Sequence, residues 1–534
     1  MECKNLINGQ FPVSTPEEQG IRSEYIIDFM DEIKKRDCHL HSFQILRHGK
    51  LIAGAVASPF TMDSYHRIYS AAKGVVATGI LVAIQEGYFG IDDRVLDILP
   101  PADFPDIYPD DMDEKWGRLT VYHLLTMTTG HKRDTLFAMM DNGEFFKTFF
   151  EAKPDFEPGT YFCYDMGAQY VMNELVRLKT GPDMGQFLKP RIFDPMEIEY
   201  QNKQTPCGRF FSSTIQFKPD ALTKFAQLYL QKGRWNGEQL IREDLATLAH
   251  KCLVANDTYD NSHDEGFDID DFAGYGLHMW RNSAGGFRFC GGQGQLAIVF
   301  PEQDIAIGTF AAEDNCNIPL QAFVDTVLYK VSERPLPPND RDYRKLQRRL
   351  ESFSMAADDV TDRSSTLIAV DSRTYTFEDN TEGQKTIRFL FDNDTVTIES
   401  DSAKGIRKYT CGLCGKWCEN EGFLLLGRED GDIADLDLIY NYDPTKTLLT
   451  GGWKSQNVFE IRMRSHAMLC DYRFRCEFIC SDACKGNGED NNVNTTGSSE
   501  LEITVTTKAH DHHVEGEDVG LFSKKPVLIL RARC

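Results

Sequence analysis

The sequence has little positive charge for its length. It contains 58 lysine and arginine residues against 82 aspartate and glutamate residues, a formal net charge of −24. A surface with this balance repels phosphate backbones and anionic lipid headgroups. We therefore expect no nucleic-acid partner and no membrane partner. The acid excess does not identify a substrate, because acidic surfaces commonly serve solubility.

The sequence also lacks the apolar segment that a signal peptide or a membrane span would need. Its first residues, Met1–Gly9, carry Glu2 and contain no long apolar run. The 15 cysteines are odd in number and scattered from Cys3 to Cys534. Without a secretory signal, this usage indicates free thiols in a reducing compartment, so we expect a cytoplasmic protein.

Internal repeats are absent as well, and helical periodicity almost disappears in the last third of the chain. A length of 534 residues exceeds one ordinary core, so we expect at least two domains. A proline-rich linker near Pro335 and a charged helix over Arg341–Ser352 separate two regions of different character. The predicted domains are therefore 1–335 and 353–534, with the linker and helix over 336–352.

The second region consists of short strand-like runs at close spacing, which predicts an all-β barrel or sandwich. A low-complexity loop over Gly486–Ser499 interrupts it. The predicted strands are Thr366–Val370, Thr374–Phe377, Ile387–Phe391, Val396–Glu399, Gly422–Leu426, Leu436–Tyr440, Leu448–Trp453, Phe459–Met463, Leu501–Thr506 and Val527–Leu530.

Several cysteines of this region raise the question of a zinc site. Cys411 and Cys414 have knuckle spacing, but the further pair Cys480 and Cys484 is spaced more widely. The first pair also lies within an alternating strand pattern. We therefore expect no structural metal and no cofactor.

The strongest motif is Ser70-Ala-Ala-Lys73, followed by an uncharged apolar helix over Gly74–Ile84. A serine at the start of a helix meets unpaired N–H groups and the positive end of the helix dipole. Lys73 lies on the same face three residues later, where burial and the dipole favour its neutral form. A neutral amine beside a hydroxyl is a base beside a nucleophile.

The motif also has a structural interpretation, since serine often caps helices and a lysine in the first turn is usually solvated. Two facts favour a catalytic role for the motif. It is the only S-x-x-K in the chain, and its helix is too apolar to expect a lysine without a role.

Two further segments supply candidate residues. Tyr164 ends an extended segment before a helix, where a phenol can point into a cleft or simply pack. The glycine-rich strand Phe289–Gln295 allows a substrate to approach a sheet edge, although such glycines can also mark a bulge.

In their order along the chain, these segments resemble the serine β-lactamase and penicillin-binding-protein superfamily, and most of all its class C-like esterase branch. The resemblance covers roughly the first three-fifths of the sequence. The matching segments are Tyr69–Gly74, Glu86–Pro100, Val121–Gly130, Pro158–Tyr164, Arg191–Met196, Phe225–Gly233, Gly274–Trp280, Phe289–Gln295 and Val299–Asp304.

The resemblance implies an α+β fold, with an α/β lobe built on an antiparallel sheet, a helical lobe and a cleft between them. It implies that Ser70 is the acylated nucleophile, that Lys73 is its base and that Tyr164 is a second proton carrier. The implied oxyanion donors are the backbone N–H groups of Ser70 and Gly292. The implied substrate-binding positions are Met166, Phe289, Cys290 and Gly291.

Two of these positions depart from the family pattern. The asparagine that holds a substrate amide is here Met166, and the cation that holds a carboxylate is here Phe289. Arg288 could supply a cation, but neighbouring strand residues point to opposite faces. The β-lactam recognition set is therefore incomplete, whereas the acylation machinery is present.

The C-terminal region resembles, more weakly, the lipocalin-like domains appended to such hydrolases, on Thr410–Trp417 and Leu449–Trp453. This implies a packing or dimerisation domain, with a role in covering the cleft or binding a ligand as alternatives.

Our first interpretation is a serine hydrolase acting on carboxylic esters or small amides through an acyl-enzyme. The alternatives are a D-amino-acid peptidase or β-lactamase, and a non-catalytic binding protein that retains the fold. The sequence does not determine the oligomeric state.

Overall fold

A computed structural model gives the fold, and it describes part of each region of the chain. The described residues are 11–135, 145–202, 212–256, 269–313, 315–355, 360–380, 383–403, 405–422, 424, 446–465, 471–480, 499–507 and 528–533. They divide into two compact units. The first comprises 11–56, 62–311 and 315–352, and the second comprises 57–61, 312–313 and the chain from 353 onward.

The first unit combines helices with short and long strands. Its helices are α1 (Ser23–Lys35), α2 (Ala72–Gln85), α3 (Val95–Ile98), α4 (Val121–Leu125), α5 (Phe145–Glu151), α6 (Met166–Thr180), α7 (Met184–Leu188), α8 (Ala221–Leu230), α9 (Glu243–Ala249), α10 (Ile318–Thr326) and α11 (Asp340–Glu351). Its strands are β1 (Leu40–Arg47), β2 (Lys50–Val56), β3 (His66–Arg67), β4 (Tyr200–Gln201), β5 (Gln216–Phe217), β6 (Arg234–Trp235), β7 (Glu238–Gln239), β8 (Trp280–Arg281), β9 (Phe287–Gly291), β10 (Gln295–Phe300) and β11 (Ile305–Ala311).

The main sheet of this unit has the strand order β2-β1-β11-β10-β9-β8, and its strands pair antiparallel. A tight turn at His48-Gly49 joins β1 to β2, and both turn residues have positive φ. Strand β9 pairs with β10 in a register that places Cys290 opposite Leu296. The β9 end of the sheet carries the glycine-rich segment of the sequence.

Helix α2 is the buried helix that its composition predicts. All residues from Ala72 to Ala83 are buried, Lys73 among them. The close approach of its neighbours depends on glycine: a Cβ at Gly74 would lie 2.5 Å from the ring of Phe289, and one at Gly79 would lie 2.2 Å from Met184 Sδ. Small residues therefore let β9 and α7 pack directly on the backbone of α2.

In its described residues, the second unit is all-β apart from one short helix, α12 (Leu367–Val370). Its strands are β12 (Thr374–Phe377), β13 (Gln384–Phe391), β14 (Thr395–Ser402), β15 (Gly405–Leu413), β16 (Cys418–Glu421), β17 (Lys446–Trp453), β18 (Val458–Ser465), β19 (Asp471–Cys480), β20 (Ser499–Thr507) and β21 (Leu528–Arg533).

These strands close into a barrel. They follow the order β15-β14-β13-β12-β21-β20-β19-β18-β17-β16, and a parallel pairing of β15 with β17, the last strand but one, closes the ring. Alternating residues fill the interior with an apolar cluster that includes Tyr375, Phe389, Trp453, Phe459 and Phe478. The fold class expected from the sequence, an α/β domain with an antiparallel sheet followed by an all-β barrel, is thus confirmed.

The barrel corrects two sequence-based expectations. Thr366–Val370, predicted as a strand, contains α12 instead. The list of predicted strands also lacks β16 and β19, and it lacks β15 although the alternating pattern around Cys411 and Cys414 indicates a strand there. Phe474, Cys476 and Phe478 alternate inward along β19. The predicted strand Leu436–Tyr440, most of Gly422–Leu426 and the loop 486–498 lie outside the described residues.

The cysteines of the barrel region, those considered for zinc among them, differ in exposure. Cys411 lies in the apolar cluster, Cys414 is exposed and Cys418 is partly exposed. The side chain of Cys480 and the whole of Cys484 lie outside the described residues. Among the described helices of the chain, none has the length and apolarity that crossing a bilayer requires.

Candidate active site

Ser70 lies on a strained turn at the entrance to α2. A 3₁₀ turn over Tyr69–Ala71 leads directly into the helix, and Tyr69 has a φ of 47°. A bulky residue in this left-handed region is uncommon and persists where the surrounding structure enforces it. Ser70 itself is partly exposed. The turn thus presents the hydroxyl outward from an otherwise buried segment.

Lys73 is the buried partner of this serine. Its side chain is 2% exposed, and its Nζ donates a hydrogen bond to Ser70 Oγ at 3.2 Å. Burial lowers the pKa of Lys73 to about 8, although the negative charges of Asp134, Asp165 and Cys290 oppose part of this effect. A substantial fraction of the amine is therefore neutral near neutral pH, as the sequence pattern predicts.

Tyr164 is brought to the same place. The Lys73 Nζ lies 4.4 Å from the centroid of the Tyr164 ring, above the ring face. The ring also contacts Trp280, at a centroid distance of 5.2 Å, and Tyr275, at 6.4 Å. The structure therefore unites Ser70, Lys73 and Tyr164, and it adds an aromatic wall beside them.

Asp165, which the sequence analysis did not select, anchors the start of α6 beside Tyr164. It is fully buried and accepts hydrogen bonds from the backbone N–H groups of Gly167 at 2.8 Å and Thr135 at 3.0 Å. It also faces His131 Nδ1 at 3.1 Å. Burial alone would raise the pKa of Asp165, but the His131 and Thr135 contacts outweigh it and the pKa is lowered.

The ring of His131 fits a protonated imidazole. Its Nδ1 faces the Asp165 carboxylate and its Nε2 lies 2.9 Å from the carbonyl oxygen of Ala152, so both nitrogens face acceptors. Burial is the largest single effect and opposes the charge, but the hydrogen bond and charge of Asp165, with the Ala152 carbonyl and Asp155, together outweigh it and raise the pKa of His131. An aspartate immediately before a predicted helix is an N-cap signal, which could have identified Asp165.

The end of β9 abuts the Ser70 turn. A Cβ added at Gly291 would lie 2.1 Å from the carbonyl oxygen of Ile68 and 3.0 Å from the backbone nitrogen of Ala71. Gly292 then begins a 3₁₀ turn in which Gln293 has a φ of 66°. Only glycine at 291 permits this approach, so the backbone of Gly292 lies near the turn that carries Ser70.

The two residues before Gly291 point to different surroundings. Phe289 is buried, packs on Gly74, and has its ring centroid 5.7 Å from that of Phe225 and 5.5 Å from that of Tyr229. Cys290 is partly exposed, and its charge affects the pKa of Lys73. Both residues are predicted to bind substrate. Cys290 is the one placed toward the site, whereas Phe289 fills the core behind it.

Arg288 does not provide a free cation. It is fully buried, and its Nη2 donates to Asp271 Oδ1 at 2.7 Å. Its Nη1 also donates to the Arg281 carbonyl oxygen at 2.9 Å and to Asn282 Oδ1 at 3.1 Å. These partners pair the guanidinium group inside the fold, so the anchoring role considered for Arg288 has no support in its contacts.

Met166 begins α6 and is partly exposed. Its backbone N–H donates to Asp134 Oδ1 at 3.0 Å, which brings that carboxylate into the electrostatic surroundings of Lys73.

His278 is a second residue that the sequence analysis missed. Burial and then the charge of Lys73 lower the pKa of His278 to about 3, so its ring is neutral.

Comparison with known proteins agrees with this architecture. The family model described as Beta-lactamase matches residues 41–315, which is just over half of the chain and includes every predicted site residue. The chain therefore belongs to the β-lactamase family, whose members are generally serine hydrolases. The resemblance to the β-lactamase and penicillin-binding-protein superfamily that the sequence indicates is confirmed.

Solved structures that match this chain share little sequence with it. A penicillin-binding-protein homologue from Caulobacter crescentus is 14% identical over 57% of this chain and 99% of its own, with a TM-score of 0.45. An octameric homologue from Pyrococcus abyssi is 13% identical over 96% and 99%, with a TM-score of 0.43. Simvastatin synthase from Aspergillus terreus is 17% identical over 62% and 96%, with a TM-score of 0.42. No curated protein matches the sequence.

Proposed function

We propose that this protein is a serine hydrolase that forms an acyl-enzyme at Ser70 with carboxylic esters or small amides. The observation that carries the proposal is the 3.2 Å hydrogen bond between Lys73 Nζ and Ser70 Oγ, made by a buried amine whose pKa is about 8. A lysine that loses its proton this easily can act as a base toward a hydroxyl.

In this mechanism, neutral Lys73 takes the proton from Ser70 Oγ as the oxygen attacks the substrate carbonyl carbon. The backbone N–H groups of Ser70 and Gly292 stabilise the oxyanion of the tetrahedral intermediate. The C–O or C–N bond then breaks, and the leaving group takes the proton from Lys73, with Tyr164 as the relay. Water attacks the acyl-enzyme by the reverse proton path and releases the acid.

The surroundings favour esters over β-lactams. Phe289 packs in the core, Arg288 is paired with Asp271, and Met166 offers a thioether where an amide would be needed. A carboxylate or side-chain amide left unpaired in a closed cleft costs about 1–3 kcal/mol, and more for the charge. The rings of Tyr164 and Trp280 provide apolar surface instead.

The test of acylation is a covalent label. A fluorophosphonate should add once to the intact protein, and peptide mapping should place the adduct on Ser70. Ser70→Ala should lose both the adduct and ester turnover, while Ser64→Ala, at another partly exposed serine, should keep them. An adduct on a different serine would overturn the assignment of Ser70, and no adduct would favour a non-catalytic binding protein.

The substrate class is tested by comparing kcat/KM for a short-chain aryl ester with that for a chromogenic cephalosporin. We expect the ester to be favoured by several powers of ten, because two recognition groups for the cephalosporin are missing. A cephalosporin value equal to or above the ester value would refute the ester assignment and support a β-lactamase.

A further inference from the structure

Two cysteines are in contact beside the proposed active site. Cys290, on β9, and Cys316, two residues before α10, have their sulfur atoms 3.3 Å apart. Both side chains are partly exposed. Among the described cysteines, these two have their thiols in contact, whereas Cys38 and Cys163 are buried elsewhere and Cys252 is exposed. The contact joins the end of β9 to the segment before α10, 26 positions later in the sequence.

A buried polar cluster holds the two cysteine segments together. The carboxylate of Asp271 accepts a hydrogen bond from Arg288, two residues before Cys290, at 2.7 Å. It also accepts from Asn317 Nδ2, one residue after Cys316, at 3.0 Å and 2.9 Å to its two oxygens. Because one carboxylate binds both flanking residues, the sulfurs are preorganised rather than brought together by chance.

The two thiols are chemically unequal. The hydrogen bond from Cys316 and the positive charge of Arg288 lower the pKa of Cys290 against the effect of burial. The contact with Cys290, together with burial, raises the pKa of Cys316. Cys290 is thus suited to be the attacking thiolate and Cys316 the resolving thiol.

We propose that Cys290 and Cys316 form a redox modification site that closes into a disulfide on reaction with a hydroperoxide. The Cys290 thiolate attacks one peroxide oxygen, the O–O bond breaks, and the alcohol or water leaves with a proton, giving a sulfenic acid. Cys316 sulfur then attacks the Cys290 sulfur and loses its proton as the sulfenic oxygen leaves as water. The two sulfurs are oxidised by two electrons in total, and the peroxide is reduced by two.

The disulfide would change the geometry of the proposed active site, which lies next to it. An S–S bond is about 2 Å long, so the sulfurs must approach by roughly 1 Å. Cys290 precedes Gly291, which touches the Ser70 turn, and Gly292, a proposed oxyanion donor. This consequence rests on the proposed function. A misplacement of about 1 Å can lower the rate about 100-fold, so we expect ester turnover to fall by about 10- to 100-fold on oxidation.

The test treats the reduced full-length protein with hydrogen peroxide and measures its intact mass. We expect a loss of two hydrogens, and a non-reduced peptide map should show Cys290 linked to Cys316. Dithiothreitol should restore the mass and the ester turnover. Cys316→Ser should keep its basal ester turnover and stop at oxidised Cys290 without a cross-link. Cys252→Ser, at an exposed cysteine outside the pair, should cross-link like the wild type.

The mass measurement on the wild type needs neither a variant nor an active enzyme, so it separates the two proposals. Oxygen addition to Cys290 without a link to Cys316, a link to another cysteine, or no reaction would overturn the modification site. A disulfide that forms without changing ester turnover would overturn its effect on the active site. A disulfide in a protein without a Ser70 adduct would overturn the proposed function and leave the modification site standing.

Discussion

Two helices of the first unit each carry a buried lysine, and their surroundings hold these lysines in opposite ways. Lys224 on α8 is 1% exposed; its Nζ lies 2.7 Å from Asp220 Oδ2 and donates to the carbonyl oxygen of Glu197 at 2.8 Å. Lys73 on α2 is equally buried, but its partners among the described residues are the Ser70 hydroxyl and the face of the Tyr164 ring.

The difference shows how a fold separates a structural lysine from a reactive one. A buried ammonium is stabilised by a carboxylate in direct contact, as Asp220 does for Lys224. The carboxylates that act on Lys73 do so only as neighbouring charges, and burial prevails. The fold thus pairs the amine of Lys224 with a carboxylate and makes the neutral amine accessible at Lys73, next to the Ser70 hydroxyl.

The sharpest test of this comparison replaces each lysine by methionine. Lys73→Met should lower the rate of acylation by an activated ester by about 10²–10⁴-fold, since a general base contributes that much. Its thermal stability should stay the same or rise, because a costly buried amine is removed. Lys224→Met should keep acylation per folded molecule but lose about 3 kcal/mol of unfolding free energy, because Asp220 loses its partner.

Stopped-flow acylation and thermal unfolding measure the two properties independently. If Lys73→Met acylates normally and unfolds like Lys224→Met, both lysines are structural and the base assignment is wrong.

A smaller effect is expected when only the phenol hydroxyl is removed. Tyr164→Phe preserves the ring over Lys73 and its contact with Trp280, so it isolates the hydroxyl. We expect acylation to fall by about 10²-fold, near the lower limit for an acid–base group. The double variant with Lys73→Met should be little slower than the worse single variant, because the two groups handle one proton.

The matched control for this change is Tyr200→Phe, whose ring packs on Phe193 away from Lys73. Full acylation activity in Tyr164→Phe would make Tyr164 a packing residue, and the relay would have to be another group.

The sequence predicted the parts of the site that depend on local pattern. The apolar run after Lys73 predicted burial of the amine, and the predicted glycine-rich strand Phe289–Gln295 covers the end of β9 and the turn into β10. In contrast, Phe289 and Arg288 are neighbours whose surroundings depend on which face of β9 meets α2, and pattern alone did not determine that. The Cys290–Cys316 contact depends on pairing across the fold, which spacing in the sequence does not reveal.

The barrel shows the same limit. Its closure depends on a parallel pairing of Gly412 with Thr450 and of Leu413 with Gly451, which joins β15 to β17. No local signal encodes that contact. The strand Asp471–Cys480 did carry an alternating pattern, but its charged outward residues concealed it.

The last prediction concerns pH, where the surroundings of Lys73 set the expected curve. Because neutral Lys73 is the reactive form, acylation should rise about tenfold per pH unit below pH 8 and level off above it. The groups that act on this amine are Asp134, Asp165 and Cys290, whose negative charges raise its pKa against burial, while neutral His278 adds no charge.

The variant Asp134→Asn tests the direction in which the pKa of Lys73 shifts. The substitution removes a negative charge that raises the pKa of Lys73, so the inflection of the acylation profile should move to lower pH. The asparagine oxygen can still accept the hydrogen bond from the Met166 N–H, so the start of α6 should stay in place. Asp244→Asn, at a carboxylate paired with Arg242 on the surface, should leave the inflection unchanged. If the Asp134→Asn inflection stays fixed or moves to higher pH, the group that titrates in acylation is not Lys73, and the contrast with Lys224 loses its chemical meaning.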